Sequence, residues 1–134
     1  MLLVISKGNL PSTKIRPLIA IVDDDKSVQS ALQDLIEADG LSAQSFGSAE
    51  EFLESGLQHK PACLIADIRM PGMSGLELQA KLNAEHYRIP IIFITAHGDS
   101  QMRMQAMCEG AVEFLTKPFD DRVLLETVRA ALDR

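Results

Sequence analysis

Residues 64–75 read LIADIRMPGMSG, and they place an acidic side chain directly after an apolar run. The run at residues 62–66 is typical of a strand that is buried on both faces of a sheet. Asp67 follows it at once, and a proline and two glycines come next. Packing alone does not require a charge at the edge of a core. Asp67 is therefore a candidate functional residue at the end of a strand.

The same alternation of a short apolar run and an amphipathic segment occurs five times along the chain. Strands are predicted at residues 18–22, 41–46, 62–66, 91–94 and 112–116. The second has a weaker, alternating pattern and is expected at a sheet edge. Helices are predicted at about residues 28–39, 48–56, 74–84, 99–109 and 120–133. Ser48 with Glu51, and Ser74 with Glu77, are expected to form the capping boxes that open the second and third helices.

Strands that alternate with helices predict an α/β fold, in which a doubly wound parallel sheet is covered on both faces through right-handed crossovers. A length of 134 residues suits a single domain. Residues 17–134 are expected to form it. Residues 1–16 are polar, lack a hydrophobic period and are expected to be a flexible N-terminal extension. In such sheets ligands bind, and functional residues lie, at the carboxyl ends of the strands.

Composition excludes several classes of protein. An apolar content of 46% is enough for a core and argues against disorder. A net charge of -6, a pI of about 5.0 and the absence of Trp disfavour nucleic-acid binding by this chain. No apolar run approaches the roughly 20 residues that span a membrane, and the first residues are a poor signal peptide. We expect a cytoplasmic protein in which Cys63 and Cys108 are reduced and buried.

Polar residues follow four of the predicted strands and therefore meet at one rim of the sheet. They are Asp23, Asp24 and Asp25 after the first strand, Asp67 after the third, Thr95 at the end of the fourth, and Lys117 after the fifth. Crowded carboxylates repel one another unless a cation lies among them. Lys117 is one such cation, and ligands that are all oxygen favour Mg²⁺ over Zn²⁺ as another. These are the components of an aspartyl-phosphate site, although Asp25 can simply cap the next helix.

Four motifs in this order resemble the receiver domain of two-component response regulators, over about residues 17–134. They are IVDDD (21–25), LIADIRMPGMSG (64–75), IIFITAHGD (91–99) and EFLTKPF (113–119). The segments RMPGMSG and TAHGD are most similar to the FixJ-like branch. The resemblance implies a flavodoxin-like (CheY-like) fold with five helices and a five-stranded parallel sheet in the order 2-1-3-4-5.

The resemblance also implies a role for each residue at the rim. Asp67 is the expected phosphoacceptor, and its carboxylate is the nucleophile. Lys117 is expected to contact the phosphoryl oxygens, aimed by a cis bond to Pro118, and Thr95 is expected to hydrogen-bond the same group. The expected Mg²⁺ ligands are the carboxylates of Asp24 and Asp67, the backbone carbonyl of Arg69, and Asp23 either directly or through a water.

Two residues are expected to modulate the lifetime of the phosphoryl group, because Arg69 and His97 border the path of the attacking water. The resemblance also implies a conformational switch on phosphorylation. Thr95 moves towards the phosphoryl group, and Phe114, which stands where the family often has Tyr, turns into the space that this movement vacates.

The fourth predicted helix has more apolar residues than one buried stripe requires. One interpretation puts all its methionines in the core. The other places Met104 and Cys108 inward. It leaves Arg103 and Met107 on an outer face near Glu113, from which phosphorylation promotes a homodimer.

The implied function is a phosphorelay signalling switch that receives its phosphoryl group from a sensor histidine kinase. The chain is expected to be an enzyme only in its own phosphorylation and dephosphorylation. Its output is either transcription, through a DNA-binding domain absent from this chain, or the action of a stand-alone receiver on protein partners. No nucleic acid and no membrane are expected to bind the chain itself.

Three other classes fit the residues less well. A haloacid-dehalogenase-like phosphatase carries a second acid two residues after its nucleophile, where this chain has Arg69. A nucleotide- or flavin-binding module needs a glycine-rich loop after its first strand, and residues 22–27 read VDDDKS instead. A degenerate receiver, which binds partners without phosphorylation, is disfavoured because the acidic residues, Thr95 and Lys117 are all intact.

Overall fold

The computed structural model describes residues 16–96 and 98–133, which contain five strands and five helices in strict alternation. The strands are β1 (Leu18–Val22), β2 (Ser42–Phe46), β3 (Cys63–Ala66), β4 (Ile91–Thr95) and β5 (Glu113–Thr116). The helices are α1 (Lys26–Ala38), α2 (Ala49–Glu54), α3 (Gly75–Ala84), α4 (Ser100–Cys108) and α5 (Asp121–Leu132). All five predicted strands and helices are therefore present. No helix among the described residues is long and apolar enough to cross a membrane.

All five strands run parallel in one sheet, in the order β2-β1-β3-β4-β5. β2 lies at an edge, as its weak pattern predicts. The chain leaves β1 towards β2 and then returns to β3 on the other side of β1, so a crevice forms at the carboxyl ends of β1 and β3. Val22 pairs in register with Ala66. Asp23 and Asp67, which follow these two residues, therefore lie side by side at the crevice.

The core lies in two layers, one on each face of the sheet. Successive side chains of a strand point to opposite faces, so Ile19 and Ile21 of β1 face α1 and α5, whereas Ala20 and Val22 face α2, α3 and α4. The helices contribute Leu32, Ile36, Leu124 and Val128 to the first layer and Phe52, Leu78, Leu82 and Ala106 to the second. Strands covered on both faces need unbroken apolar runs, which explains the pattern of the sequence.

Polar side chains determine where α2 and α3 begin. At α3 the predicted capping box is complete, because Ser74 accepts the N–H of Glu77 and the Glu77 carboxylate accepts the N–H of Ser74. At α2 only half of the predicted box forms. Ser48 accepts the Glu51 N–H, but the Glu51 carboxylate accepts the N–H of Gly47, at 2.8 Å. The prediction of a full capping box at α2 is wrong, since Glu51 reaches one residue further back along the turn.

The predicted orientation of α4 is wrong for two residues. Met104 is 67% exposed and Cys108 is exposed, although the second interpretation places both inward. Ala106 is buried, and Met102 packs on the same core layer. Each helical residue turns by about 100°, so positions two residues away from Ala106 lie nearly opposite the core. Met107, 38% exposed, is on the outer surface, as the second interpretation predicts. The first interpretation, in which every methionine of α4 lies in the core, is therefore wrong.

The two cysteines therefore differ in environment. Cys63 in β3 is buried as predicted, and burial raises the pKa of its thiol to about 12. Cys108 lies exposed at the end of α4, so the prediction that both thiols are buried is wrong.

Candidate functional site

Three carboxylates meet at the carboxyl ends of β1 and β3. Oxygen atoms of Asp23, Asp24 and Asp67, one from each side chain, lie within 4.8 Å of one another, and these residues form the acidic cluster. Asp23 and Asp67 are 2% and 7% exposed, whereas Asp24 is open to solvent. The cluster therefore has a buried wall and an open side from which a small ligand can enter.

Lys117 reaches the acidic cluster from the loop after β5. Its Nζ donates to Asp23 Oδ2 and to Asp67 Oδ2, at 2.9 Å in each case. Its backbone N–H donates to the Thr95 carbonyl at 2.9 Å, which ties this loop to the end of β4. The Lys117–Pro118 peptide bond is cis, as predicted. One ammonium group thus contacts two buried carboxylates.

These surroundings raise the pKa of both Asp23 and Lys117. Burial raises the pKa of the Asp23 carboxyl, and the charge of Asp67 adds to the rise. Hydrogen bonds from the Asp25 N–H and from Lys117 oppose it without cancelling it. Burial alone would lower the pKa of Lys117, but its hydrogen bonds to Asp67 and Asp23 and their charges outweigh this effect. Lys117 therefore stays protonated at neutral pH, and the remaining carboxylate charge favours a further cation.

The residues present fit Mg²⁺. The donors of the acidic cluster are all carboxylate oxygens, and Mg²⁺ binds through one or two carboxylates while it keeps waters that a phosphate can replace. Asp67 Oδ1 accepts the backbone N–H of Arg69 at 3.2 Å. The Arg69 backbone, whose carbonyl is an expected ligand, therefore passes directly beside the cluster.

Thr95 and Phe114 lie on the neighbouring strands β4 and β5. Thr95 is 1% exposed and ends β4. Phe114 is 5% exposed, and its ring centroid is 6.5 Å from that of Phe93. A Cβ added at Gly98 would lie 2.5 Å from Phe114 Cε1 and 2.8 Å from Thr95 Cγ2, so the ring already occupies the space beside Thr95. The movement of Thr95 and Phe114 on phosphorylation stays a prediction.

Arg103 connects α4 to β5. Its Nη1 donates to the Phe114 carbonyl at 2.8 Å, and its Nη2 lies 3.2 Å from Glu113 Oε1. Its side chain remains 50% exposed, in agreement with the predicted outer face near Glu113. Arg103 is therefore paired within its own chain, in a surface that also exposes Met107.

Sequence reasoning missed two residues that hold the backbone around the acidic cluster. Gln29 is 8% exposed and donates from Nε2 to the Asp23 carbonyl at 2.6 Å. The sequence could have indicated this role, because Gln29 lies on the same helical stripe as Ile36, which faces the core. A polar side chain buried in such a stripe needs a hydrogen-bond partner. Glu50 in α2 accepts the Met73 N–H at 2.8 Å. No local pattern indicates this contact, since it joins distant parts of the chain.

Other predicted residues lie beside the cluster or outside the described part of the chain. His97 and residues 1–15 are not among the described residues, so their roles stay predictions. The side chain of Arg69 is exposed. Asp25 caps α1, as predicted, and hydrogen bonds from the Ser27 hydroxyl and N–H lower the pKa of its carboxyl.

Comparison with known proteins agrees with this geometry. The sequence profile of the response regulator receiver domain matches residues 19–129. The chain belongs to this family. The chain is 43% identical over 128 residues to nodulation protein W of Bradyrhizobium diazoefficiens, covering 96% of this chain and 56% of that protein. It is 42% identical over 116 residues to the transcriptional regulatory protein FixJ of Azorhizobium caulinodans, covering 87% and 55%.

A solved structure titled as the crystal structure of FixJ-N matches the fold of this receiver domain. The TM-score is 0.80 at 38% identity, and the match covers 88% of this chain and 94% of that one. The resemblance to the FixJ-like branch and the CheY-like fold are thereby confirmed. The chain spans about half the length of the curated relatives it matches. The roles of the individual site residues stay predictions.

Proposed function

We propose that this receiver domain is a phosphorelay switch, which accepts a phosphoryl group on Asp67 from a sensor histidine kinase. The observation that carries the proposal is the environment of Asp67. Its Oδ2 lies 2.9 Å from Lys117 Nζ, and its carboxylate belongs to a cluster of acids within 4.8 Å of one another. A buried nucleophile beside a fixed ammonium and an oxygen-only cation site suits phosphoryl transfer.

In the proposed reaction a carboxylate oxygen of Asp67 attacks phosphorus. The bond between phosphorus and the histidine nitrogen breaks, and the leaving imidazole keeps the electron pair and takes up a proton. Lys117 already contacts Asp67, so its ammonium can follow the negative charge onto the phosphoryl oxygens. The Thr95 hydroxyl donates a hydrogen bond to the same group.

Mg²⁺, held by Asp24, Asp67, the Arg69 carbonyl and Asp23 directly or through water, would supply positive charge to the phosphoryl oxygens when bound. The chain's activity in this scheme is limited to its own phosphorylation and dephosphorylation. We further propose that Arg69 and His97 modulate how long the phosphoryl group survives, by limiting attack by water. Replacing both should change the dephosphorylation rate while the fold is retained. An unchanged rate would remove them from this role.

The proposed output runs through the surface of α4 and β5. Phosphorylation adds about -1.5 to -2 charges beside Thr95, and the Phe114 ring packs close by. Phe114 in turn bonds Arg103 through its carbonyl, so the site is connected to the exposed face that carries Met107. We propose that this face forms a homodimer on phosphorylation. One relative's name, transcriptional regulatory protein, favours transcription as the output over a stand-alone receiver.

The proposal is tested by incubating the protein with acetyl phosphate and Mg²⁺ and measuring its intact mass. Wild type should gain one phosphoryl group, and Asp67→Asn should gain none. Asp25→Asn is the matched control, because it removes an acid from the neighbouring loop after β1, where its carboxylate caps α1. Lys117→Ala should be labelled in part but fail to dimerise. Label that persists in Asp67→Asn would show that the nucleophile is another residue.

The homodimer is tested by light scattering with and without beryllofluoride. Wild type should be a monomer that dimerises when activated. Arg103→Glu with Met107→Ala should stay monomeric, because it breaks the contacts that organise the α4 and β5 surface. An activated wild type that stays monomeric at high micromolar concentration would refute the dimer. A dimer unaffected by the double change would place the interface on another face.

A further inference from the structure

The loop at residues 67–75 carries the nucleophile at one end, and both of its ends are held in place. At the first end Arg69 donates its N–H to Asp67 Oδ1 at 3.2 Å. At the second end Gly75 donates its N–H to the Ile68 carbonyl at 2.9 Å. A Cβ on Gly75 would collide with the Asp67 carbonyl oxygen, so the backbone closes tightly there. The middle of the loop needs a separate support.

Glu50 supplies that support from α2. Its Oε2 accepts the Met73 N–H at 2.8 Å. The same carboxylate lies against the bare Cα of Gly72, where an added Cβ would come within 2.5 Å of Oε2. Gly72 has a φ of +78°, a conformation that favours glycine. Glu50 itself stands in the first turn of α2, where the helix dipole stabilises a carboxylate.

We propose that Glu50 is a positioning residue for the phosphorylation site, an inference that rests on the function proposed above. It acts through the loop and does not belong to the acidic cluster. By holding Met73 and Gly72, it limits the conformations of the segment that carries the Arg69 carbonyl. That carbonyl is then presented to Mg²⁺ before the ion arrives, so binding does not have to order the loop.

The proposal predicts a specific change in the Mg²⁺ dependence. Glu50→Ala should weaken Mg²⁺ binding about three- to tenfold, which corresponds to the net strength of one ordinary hydrogen bond. Labelling by acetyl phosphate should need more Mg²⁺ by the same factor and recover its wild-type rate at saturating Mg²⁺. Glu50→Gln should retain most of the wild-type affinity, because its amide oxygen can still accept the Met73 N–H.

The experiment compares these variants by calorimetric Mg²⁺ titration, by labelling and by amide hydrogen exchange at Met73. Two controls lie on the same helix. Glu54→Gln makes the same charge change at an exposed position, and Glu51→Gln alters a carboxylate that bonds Gly47 instead of the loop. Both controls should keep the wild-type Mg²⁺ affinity. Exchange at Met73 should be faster only in Glu50→Ala.

The outcomes separate this inference from the proposed function. If wild type neither binds Mg²⁺ nor becomes labelled on Asp67, the proposed function is wrong. If wild type does both and Glu50→Ala has the same Mg²⁺ affinity, only the role of Glu50 is overturned. The role is also overturned if Glu51→Gln weakens Mg²⁺ binding as much as Glu50→Ala does, because the effect would then come from a general loosening of α2.

Discussion

Replacing Lys117 by Met tests how strongly the buried charges of the site control the stability of the fold. The variant removes the ammonium group and keeps an unbranched side chain. The Asp23 and Asp67 side chains, 3% and 9% exposed, then lose the cation that each contacts at 2.9 Å. Two buried carboxylates are left to repel one another across the crevice between β1 and β3.

The size of the effect follows from this burial. Removing one partner of a buried ion pair costs about 3–5 kcal/mol, because the other charge stays buried. The open side of the acidic cluster at Asp24 admits water, so we expect a loss of about 2–4 kcal/mol in the free energy of unfolding at pH ~7. For a chain of 134 residues, such a loss lowers the melting temperature by about 10 °C.

The loss should shrink as the pH falls. The pKa of Asp23 is raised in the folded protein, so the folded state binds this proton more tightly than the unfolded state and gains stability as pH falls towards the usual Asp range. Without Lys117, its hydrogen bond and its positive charge no longer lower the pKa of Asp23, so this pKa rises further. The raised pKa of Lys117 acts in the alkaline range, since its stabilisation is full below the usual Lys pKa and is lost above it.

The assay is urea unfolding followed by circular dichroism, at neutral and mildly acidic pH and with or without Mg²⁺. Lys81→Met is the matched control, because Lys81 Nζ lies 2.8 Å from Glu85 Oε2 but the two side chains are 46% and 42% exposed. It should cost less than about 1 kcal/mol. Mg²⁺ should restore part of the stability of Lys117→Met. Equal losses in the two variants, or a loss in Lys117→Met that does not depend on pH, would refute the reasoning.

The remaining predictions concern the metal, the loop after β3 and the attachment of α4. Mg²⁺ affinity should fall as the pH falls and the acidic cluster protonates, and Asp24→Ala should lower it at neutral pH in a calorimetric titration. Gly75→Ala should lower the free energy of unfolding by about 2–4 kcal/mol in urea, because its Cβ would overlap the Asp67 carbonyl. Gln79→Leu should lower it by about 1–2 kcal/mol, because the buried Gln79 amide donates to the Ala106 carbonyl at 3.0 Å.

Each of these predictions would be contradicted by a specific result. Equal Mg²⁺ affinity in wild type and Asp24→Ala would place the metal elsewhere. An unchanged stability of Gly75→Ala would show that the loop can open without loss. If Gln79→Leu unfolds like wild type while amide exchange in α4 is unchanged, the helix does not depend on this hydrogen bond.

Much of the fold could be predicted because its signals are local. A strand covered on both faces needs a continuous apolar run, and a helix on its surface needs an apolar stripe, so each element leaves a pattern in its own residues. The rim residues followed from the same rule, since the carboxyl ends of parallel strands share one edge. Predictions on α4 failed because this nine-residue helix has apolar residues on more than one face, and its own sequence does not indicate which face meets the sheet.

The sequence by itself determined the five strands and helices, the parallel sheet and the presence of Asp67 and Lys117 at one rim. Only the tertiary structure decided which side chains meet there. The contact of Lys117 with Asp23 spans 94 positions, and that of Glu50 with Met73 spans 23. Such contacts depend on how separate elements pack, and the packing fixes distances and burial that no local pattern contains. The raised pKa of Asp23, the exposure of Met104 and the support of the loop by Glu50 all arise at that level.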